Sequence, residues 1–486
     1  MHIERLSLST FPTPAIDRGQ LGSGIVHLGV GAFHRAHQAV LTEDAMLATG
    51  DTRWGITGVT QRSRTVVEQL GPQDGLFTLS QRGAGSGLLR VVSSLRDIIP
   101  GHERPQQVVD AISAATTTVV TLTVTEKGYR IDPRTRRLAL HDAAIQQDLA
   151  GGPARTAIGQ IARGLQGRLR TDTGPINIIS CDNLPSNGAL TRTLVRDFIA
   201  ALPGGEADAL DAWVRENVAF PDTMVDRMVP ATTVADLDAV EQELGLRDEG
   251  AVIAEPFRQW VIEDQFVAAR PAWERAGALL TADVLGWETA KLRLLNASHS
   301  LLAYLGLAAG LRTIADVVAD DAFRTACSRM MIEDVLPTLD LPEGLDGRQY
   351  IETVLERFAN PALGHTTAKV GNDGSQKLGP RLLATITAAL AAGRPPRWAA
   401  LAAAAWMHHV STADVAELDD PLARSLKDSL PSSTNSASIV RALVNHLDIF
   451  TPELAADTTF TGLLTHWYSI IDKHGPEGLR KEITHG

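Results

Sequence analysis

The sequence predicts an α/β chain in two parts, a parallel-sheet domain over residues 1–280 and a mainly helical domain over residues 281–486. Three observations carry this. In the first half, β-branched runs alternate with helical patterns, the signature of a parallel sheet with crossover helices. From about Thr281 the strand signals nearly vanish and Ala/Leu-rich stretches such as Leu382–Ala392 and Trp398–His408 take over. A chain of 486 residues is also too long for one ordinary core, so at least two domains are expected.

The strands are expected at Gly24–Gly29, Trp54–Thr60, Thr118–Thr125 and Ile176–Ser180, each running into glycine or polar residues where an open α/β sheet places its ligands. The stretch Ala200–Asp211, with Pro203-Gly-Gly, reads as a loop into a further helix, and Gly83–Gly87 reads as a glycine-rich turn. In the second half the loops hold the prolines: Pro361, Pro380, Pro395-Pro396 and Pro421.

Composition narrows the function classes. The chain is 44% apolar and 21% charged with a net charge of −12. The acidic balance excludes a general nucleic-acid binder, which needs a basic face. No apolar run approaches the roughly 18 residues of a membrane span. The first residues lack the basic-then-apolar layout of a signal peptide. Cys181 and Cys327 are the only cysteines, which rules out a Cys-rich zinc site and fits a reducing, cytoplasmic setting. Gly101-His-Glu103 lacks the second histidine of a helical zinc motif, and His408-His409 face different ways, so no metal is expected.

The segment Gly29-Val-Gly31-Ala32-Phe33-His34-Arg35 follows the first strand and opens a helix. Gly29 and Gly31 suit the tight turn and close backbone approach of a dinucleotide pyrophosphate, although His34 replaces the third glycine of the usual fingerprint. Phe33, His34 and Arg35 then fall where a helix N-terminus would meet the diphosphate. At the tip of the second strand, Thr60-Gln-Arg62-Ser63-Arg64 contains no acid for ribose hydroxyls. That leaves NADP open beside NAD.

The most informative stretch is Lys291-Leu-Arg-Leu-Leu-Asn296-Ala-Ser-His299. On a regular helix Glu288, Lys291, His299 and Asn296 fall at about 60°, 0°, 80° and 140°, sharing one arc beside Leu295, Leu302 and Leu305. Polar groups on an apolar face are costly unless they satisfy one another or do chemistry. An amine, an amide, an imidazole and a carboxylate together suggest a proton-transfer site.

Five segments in order (Gly29–His37, Thr125-Glu-Lys-Gly-Tyr129, Cys181-Asp-Asn-Leu-Pro-Ser-Asn187-Gly, Thr223-Met-Val-Asp226-Arg and the Lys-x4-Asn-x2-His helix) resemble the polyol-specific long-chain dehydrogenases, the mannitol dehydrogenase family. The resemblance implies a Rossmann-type domain, a helical domain, an active site in the cleft between them, and metal-independent hydride transfer between NAD(P) and a polyol or ketose. It implies that Lys291 is the general acid/base, a role for which its ordinary pKa of ~10.4 must be lowered by desolvation. It implies that Asn296 and Asn187 donate to the substrate oxygen, that His299 orients substrate or lysine, and that Glu288 passes the proton to solvent. Val225 and Asp226 would lie beside nicotinamide and substrate. Lys377, in Asp373-Gly-Ser-Gln-Lys377, would reach the substrate hydroxyls, and Lys369 would stand where mannitol dehydrogenases tend to have an arginine. Between activities, mannitol 2-dehydrogenase comes narrowly first and fructuronate reductase second. The segment from Arg357 to Leu363 favours the latter. From another class, a dinucleotide-binding sensor without turnover is the alternative. The expected partner is a small polyol, ketose or hexuronate, and the protein is expected to be a monomer or weak homo-oligomer.

Overall fold

The computed structural model describes residues 3–83, 87–432 and 435–485, so Ala84–Ser86 of the expected glycine-rich turn lie outside the described residues. The chain divides into two compact units, Met1–Val284 and Leu285–Gly486.

The first unit is built on six parallel strands: β1 (Ile25–Leu28), β2 (Ile56–Thr60), β3 (Leu95–Pro100), β4 (Val119–Leu122), β5 (Ile176–Ser180) and β6 (Val218–Ala219). Their spatial order is 3-2-1-4-5-6, the doubly wound order of dinucleotide-binding domains. Alternation along each strand supplies two cores at once. Ile25, Ile56, Val119 and Ile179 belong to one apolar cluster. Val26, Val59, Val120 and Ile178 belong to the other. A sheet buried on both faces needs such continuous apolar runs. The order reverses between β1 and β4, where this architecture opens a ligand crevice.

Sequence periodicity missed two smaller sheets. One pairs Phe77–Gln81 with Leu88–Val92 and Val252–Ala254, and the other joins Thr223–Asp226, Gln259–Glu263 and Leu279–Thr281. Phe77–Gln81 and Leu88–Val92 are near neighbours in an antiparallel pair, but the other members lie far apart in the chain, so no local pattern announces their pairing. The Ala200–Asp211 stretch is a loop over residues 201–206 leading into a helix that begins at Ala207, as its sequence suggests.

The second unit is helical. Its centre is the helix Arg397–Thr412, in which every residue from Trp398 to Met407 is buried. A helix apolar all round has to lie inside its domain. Helices Ala297–Ala309 and Thr458–His485 pack against it. Asp334 caps it by accepting from Trp398 N and Ala399 N, both at 2.7 Å, and burial raises this carboxyl to about 6. No helix among the described residues is long and apolar enough to cross a membrane. Both cysteines are free and buried.

Candidate active site

In the first unit the loop after β1 has the form that a dinucleotide requires. Gly29 adopts φ 101°, and a Cβ there would run into the Thr123 carbonyl at the end of β4. Gly31 is exposed, with nothing nearer than 3.8 Å to a built Cβ. Gly31, Ala32 and Phe33 remain accessible at the loop's mouth, with Phe33 stacked on His37. These features fit a pyrophosphate approaching the backbone closely.

His34 and Arg35 do not share that position. The His34 ring is wholly buried and stacks on His27 at 3.4 Å. His27 is fixed by Thr121 Oγ1 (2.7 Å) and Thr123 Oγ1 (2.8 Å). Arg35 is buried too, donating to the carbonyls of Gly31 and Gly250. The expectation that both meet the diphosphate is therefore corrected: they pack beneath the loop and hold its shape. At the tip of β2, Arg64 pairs with Glu103 at 3.1 Å, while Arg62 is exposed.

The loop after β5 is an architectural knot. Asp182 accepts from Val124 N and Thr125 N (both 2.9 Å) and from the Tyr129 hydroxyl (2.8 Å), tying the end of β5 to the end of β4. Burial raises the Asp182 carboxyl despite these donors. Asn187 opens the helix Asn187–Ala200 and is 1% exposed. Its Nδ2 donates to Asp182 O (3.0 Å), Thr223 O (3.0 Å) and Thr223 Oγ1 (3.1 Å). Its Oδ1 accepts from Thr223 N at 2.9 Å. Both N–H bonds are thus committed to holding the loop against the strand Thr223–Asp226. In this geometry the amide has none left for a substrate oxygen, which departs from the expected donor role. Val225 and Asp226 are buried on that strand, paired with Trp260 and Gln259.

In the second unit the informative helix is not regular. Lys291–Asn296 forms a widened π-turn between the helices Val284–Ala290 and Ala297–Ala309. Hydrogen bonding from i to i+5 stacks residues five apart and is frequent at functional sites. The angles expected from an α-helix therefore change. Asn296, about 140° from Lys291 on a regular helix, is turned toward the lysine's side. Lys291 is 8% exposed, and Glu288 and Asn296 are half-buried. The Asn296 side chain makes no hydrogen bond among the described residues, in contrast to Asn187.

His299 stacks on Phe358 at 5.0 Å and lies 5.8 Å from His365, and its buried Nε2 has no hydrogen-bond partner. Burial first, and then the basic His365, Arg381, Arg357 and Lys377, holds its pKa well below the ordinary value. The result is a neutral imidazole whose buried Nε2 is left without a hydrogen-bond partner. Burial, Lys369 and Arg357 likewise lower His365. Lys377 donates to the carbonyls of Asn372 and Val370 and lies 4.0 Å from Asp373. Lys369 is exposed. Sequence reasoning passed over Arg381, although it stands one helical turn beyond Lys377. It also gave no site role to His365 or Phe358, whose approach to His299 depends on a loop some sixty residues away.

A model of the mannitol dehydrogenase Rossmann domain matches residues 23–275, and one of the mannitol dehydrogenase C-terminal domain matches residues 283–472. The chain belongs to the mannitol dehydrogenase family. D-mannonate oxidoreductase of Escherichia coli is 39% identical, over 95% of this chain and 96% of the relative. Mannitol dehydrogenase 2 of Saccharomyces cerevisiae is 35% identical, over 98% and 95%. Among solved structures, the ternary complex of Pseudomonas fluorescens mannitol 2-dehydrogenase with NAD and D-mannitol shares 33% identity. Its TM-score is 0.83, and 99% of each chain is covered. Family membership accounts for the pairing of a doubly wound sheet with an all-helical unit.

Proposed function

We propose that this chain catalyses reversible, NAD-dependent hydride transfer at the secondary carbinol of a hexonate, interconverting D-mannonate and D-fructuronate. NAD, when bound, would supply the hydride acceptor for oxidation, and NADH the hydride donor for reduction. Gly29, Gly31, Ala32 and Phe33 would hold its diphosphate end. Lys291 removes the hydroxyl proton as the hydride leaves and gives it back in the other direction. The Asn296 amide donates to the substrate oxygen as alkoxide character develops, an oxyanion-hole role for which its N–H groups are available. His299, kept neutral, presents Nε2 to a substrate hydroxyl, and Glu288 carries the proton outward. Lys377 and Lys369 serve the rest of the substrate.

The observation that carries the substrate class is the charge around His299. His365 lies 5.8 Å from it, and the groups that act on it most strongly, His365, Arg381, Arg357 and Lys377, are basic, as are Lys369 and Arg357, which act on His365. A neutral polyol has no use for such a field, whereas a substrate carboxylate is drawn to it. The 39% identity to a D-mannonate oxidoreductase points the same way. This reverses the narrow preference for mannitol drawn from sequence. The mannitol reading retains one support, the 0.83 TM-score to the mannitol-bound enzyme.

Steady-state turnover with NADH decides between them. Fructuronate is expected to exceed fructose in kcat/KM by about 100-fold or more, a difference of roughly 3 kcal/mol in transition-state binding. Equal or reversed values would restore mannitol. NADH binding with no oxidation by any ketose or ketouronate would instead favour a sensor.

A further inference from the structure

The turn that carries Asn296 and His299 is braced from outside by one arginine. Arg381 lies in a second π-turn, Gly379–Leu383, which packs against the first. Its Nη1 donates both to the backbone carbonyl of Asn296 (3.2 Å) and to Ser300 Oγ (2.9 Å). These two acceptors bracket a single helical turn, and His299 lies within it. Widening a helix to i→i+5 weakens the regular ladder just where the chain returns to α geometry. The guanidinium Nη1, serving both acceptors, ties that exit to the second π-turn.

Arg381 has no carboxylate partner among the described residues, and burial lowers it to about 10. A cation taken from water without a counter-ion is unfavourable, so simple packing gives it little reason to be there. It also follows Lys377 by one turn, on the same continuous helical stretch.

We propose that Arg381 is a positioning residue for hydride transfer: it locks the Asn296–Ser300 turn so that the Asn296 amide and the His299 imidazole face the reacting oxygen. This rests on the reading that Asn296 donates to that oxygen. Arg381 acts through the turn and not by touching substrate, so its effect belongs in kcat.

The test is a double-mutant cycle on the full chain with fructuronate and NADH. Arg381→Met is expected to lower kcat by about 10- to 100-fold, leaving NADH affinity within about threefold and raising KM for fructuronate by less than kcat falls, since Arg381 is also one of the basic groups around His299. Combined with Asn296→Ala, it is expected to add less than about threefold to the loss from Asn296→Ala alone, because both remove the same interaction. Arg381→Lys, which keeps the charge and a single donor nitrogen on a shorter reach, is expected to recover part of kcat. Should Arg381→Met fail to fold, Arg381→Lys carries the same cycle with a smaller loss. Wild-type kcat in both Arg381 variants would overturn the proposal. So would losses that multiply with Asn296→Ala, or a defect confined to KM. Wild-type turnover in Asn296→Ala would instead remove the reading beneath it, and the proposal with it.

Discussion

The two units use asparagine in opposite ways. Asn187, in the first unit, commits both amide hydrogens and its oxygen to Asp182 and Thr223. Asn296, in the second, sits half-buried on a π-turn with no side-chain hydrogen bond among the described residues. The histidines do not divide this way: His27 is anchored by two threonines, but His34 in the first unit and His299 in the second both bury ring nitrogens without a partner. Buried polar groups are normally satisfied, and the exceptions call for an explanation. The asparagine pair thus separates an amide spent on architecture from one left without a hydrogen bond.

The largest expected effect lies on the lysine. Lys291→Ala should lower kcat by about 10³- to 10⁴-fold, with NADH affinity, read by fluorescence titration, nearly unchanged. Turnover close to wild type would take the lysine out of the chemistry and leave the second unit without its distinguishing group.

The asparagine pair tests the comparison directly. Asn296→Ala should cost about 100-fold or more in kcat with an unchanged melting temperature. Asn187→Ala should instead destabilise the protein by about 3 kcal/mol, because it strands several buried partners, and thermal unfolding will show this. If Asn187→Ala melts normally yet loses turnover, the division between architecture and chemistry fails.

Two glycines sharpen the account of the first unit. Gly29→Ala forces a Cβ onto Thr123 at a positive φ and should cost about 2–4 kcal/mol. Gly31→Ala has room for its methyl, so stability should change by less than about 0.5 kcal/mol while NADH binding weakens. Parallel losses in both variants would mean that Gly31 is structural too.

The smallest effect is a pH slope. Burial lowers His27 and His37 to about 3 and His34 well below its ordinary value. The unfolded chain takes up protons on these rings near pH 6.5, and the folded chain does not until far lower. Stability should therefore fall as pH drops from about 6.5 toward 3, each ring contributing about 1 kcal/mol per pH unit below 6.5. Denaturant midpoints at pH 7 and pH 5.5, with His34→Phe as the comparison, measure the slope. A slope unchanged by that substitution would show that His34 already binds its proton when folded.

Local pattern revealed the parallel strands, the glycine loop and the Lys-x4-Asn-x2-His helix, because each is written in contiguous residues. It could not reveal that Asn187 is held by Thr223, thirty-six positions away, or that His34 turns inward onto His27. Nor could hydrophobic spacing disclose the π-turn, since one widened turn barely disturbs the run of leucines around it. Arg381 was hidden for the same reason: its importance comes from the segment it braces, and its own surroundings in sequence are unremarkable.

The π-turn has a consequence for reading related chains. A widened turn is equivalent to one residue inserted into a helix. Deleting a single residue between Lys291 and Asn296 would let the stretch relax to α geometry with the lysine and asparagine four apart, about 40° from each other. The downstream helix could keep its packing. A homologue one codon shorter in this stretch should thus align with a gap inside the turn and still present all three side chains on one face.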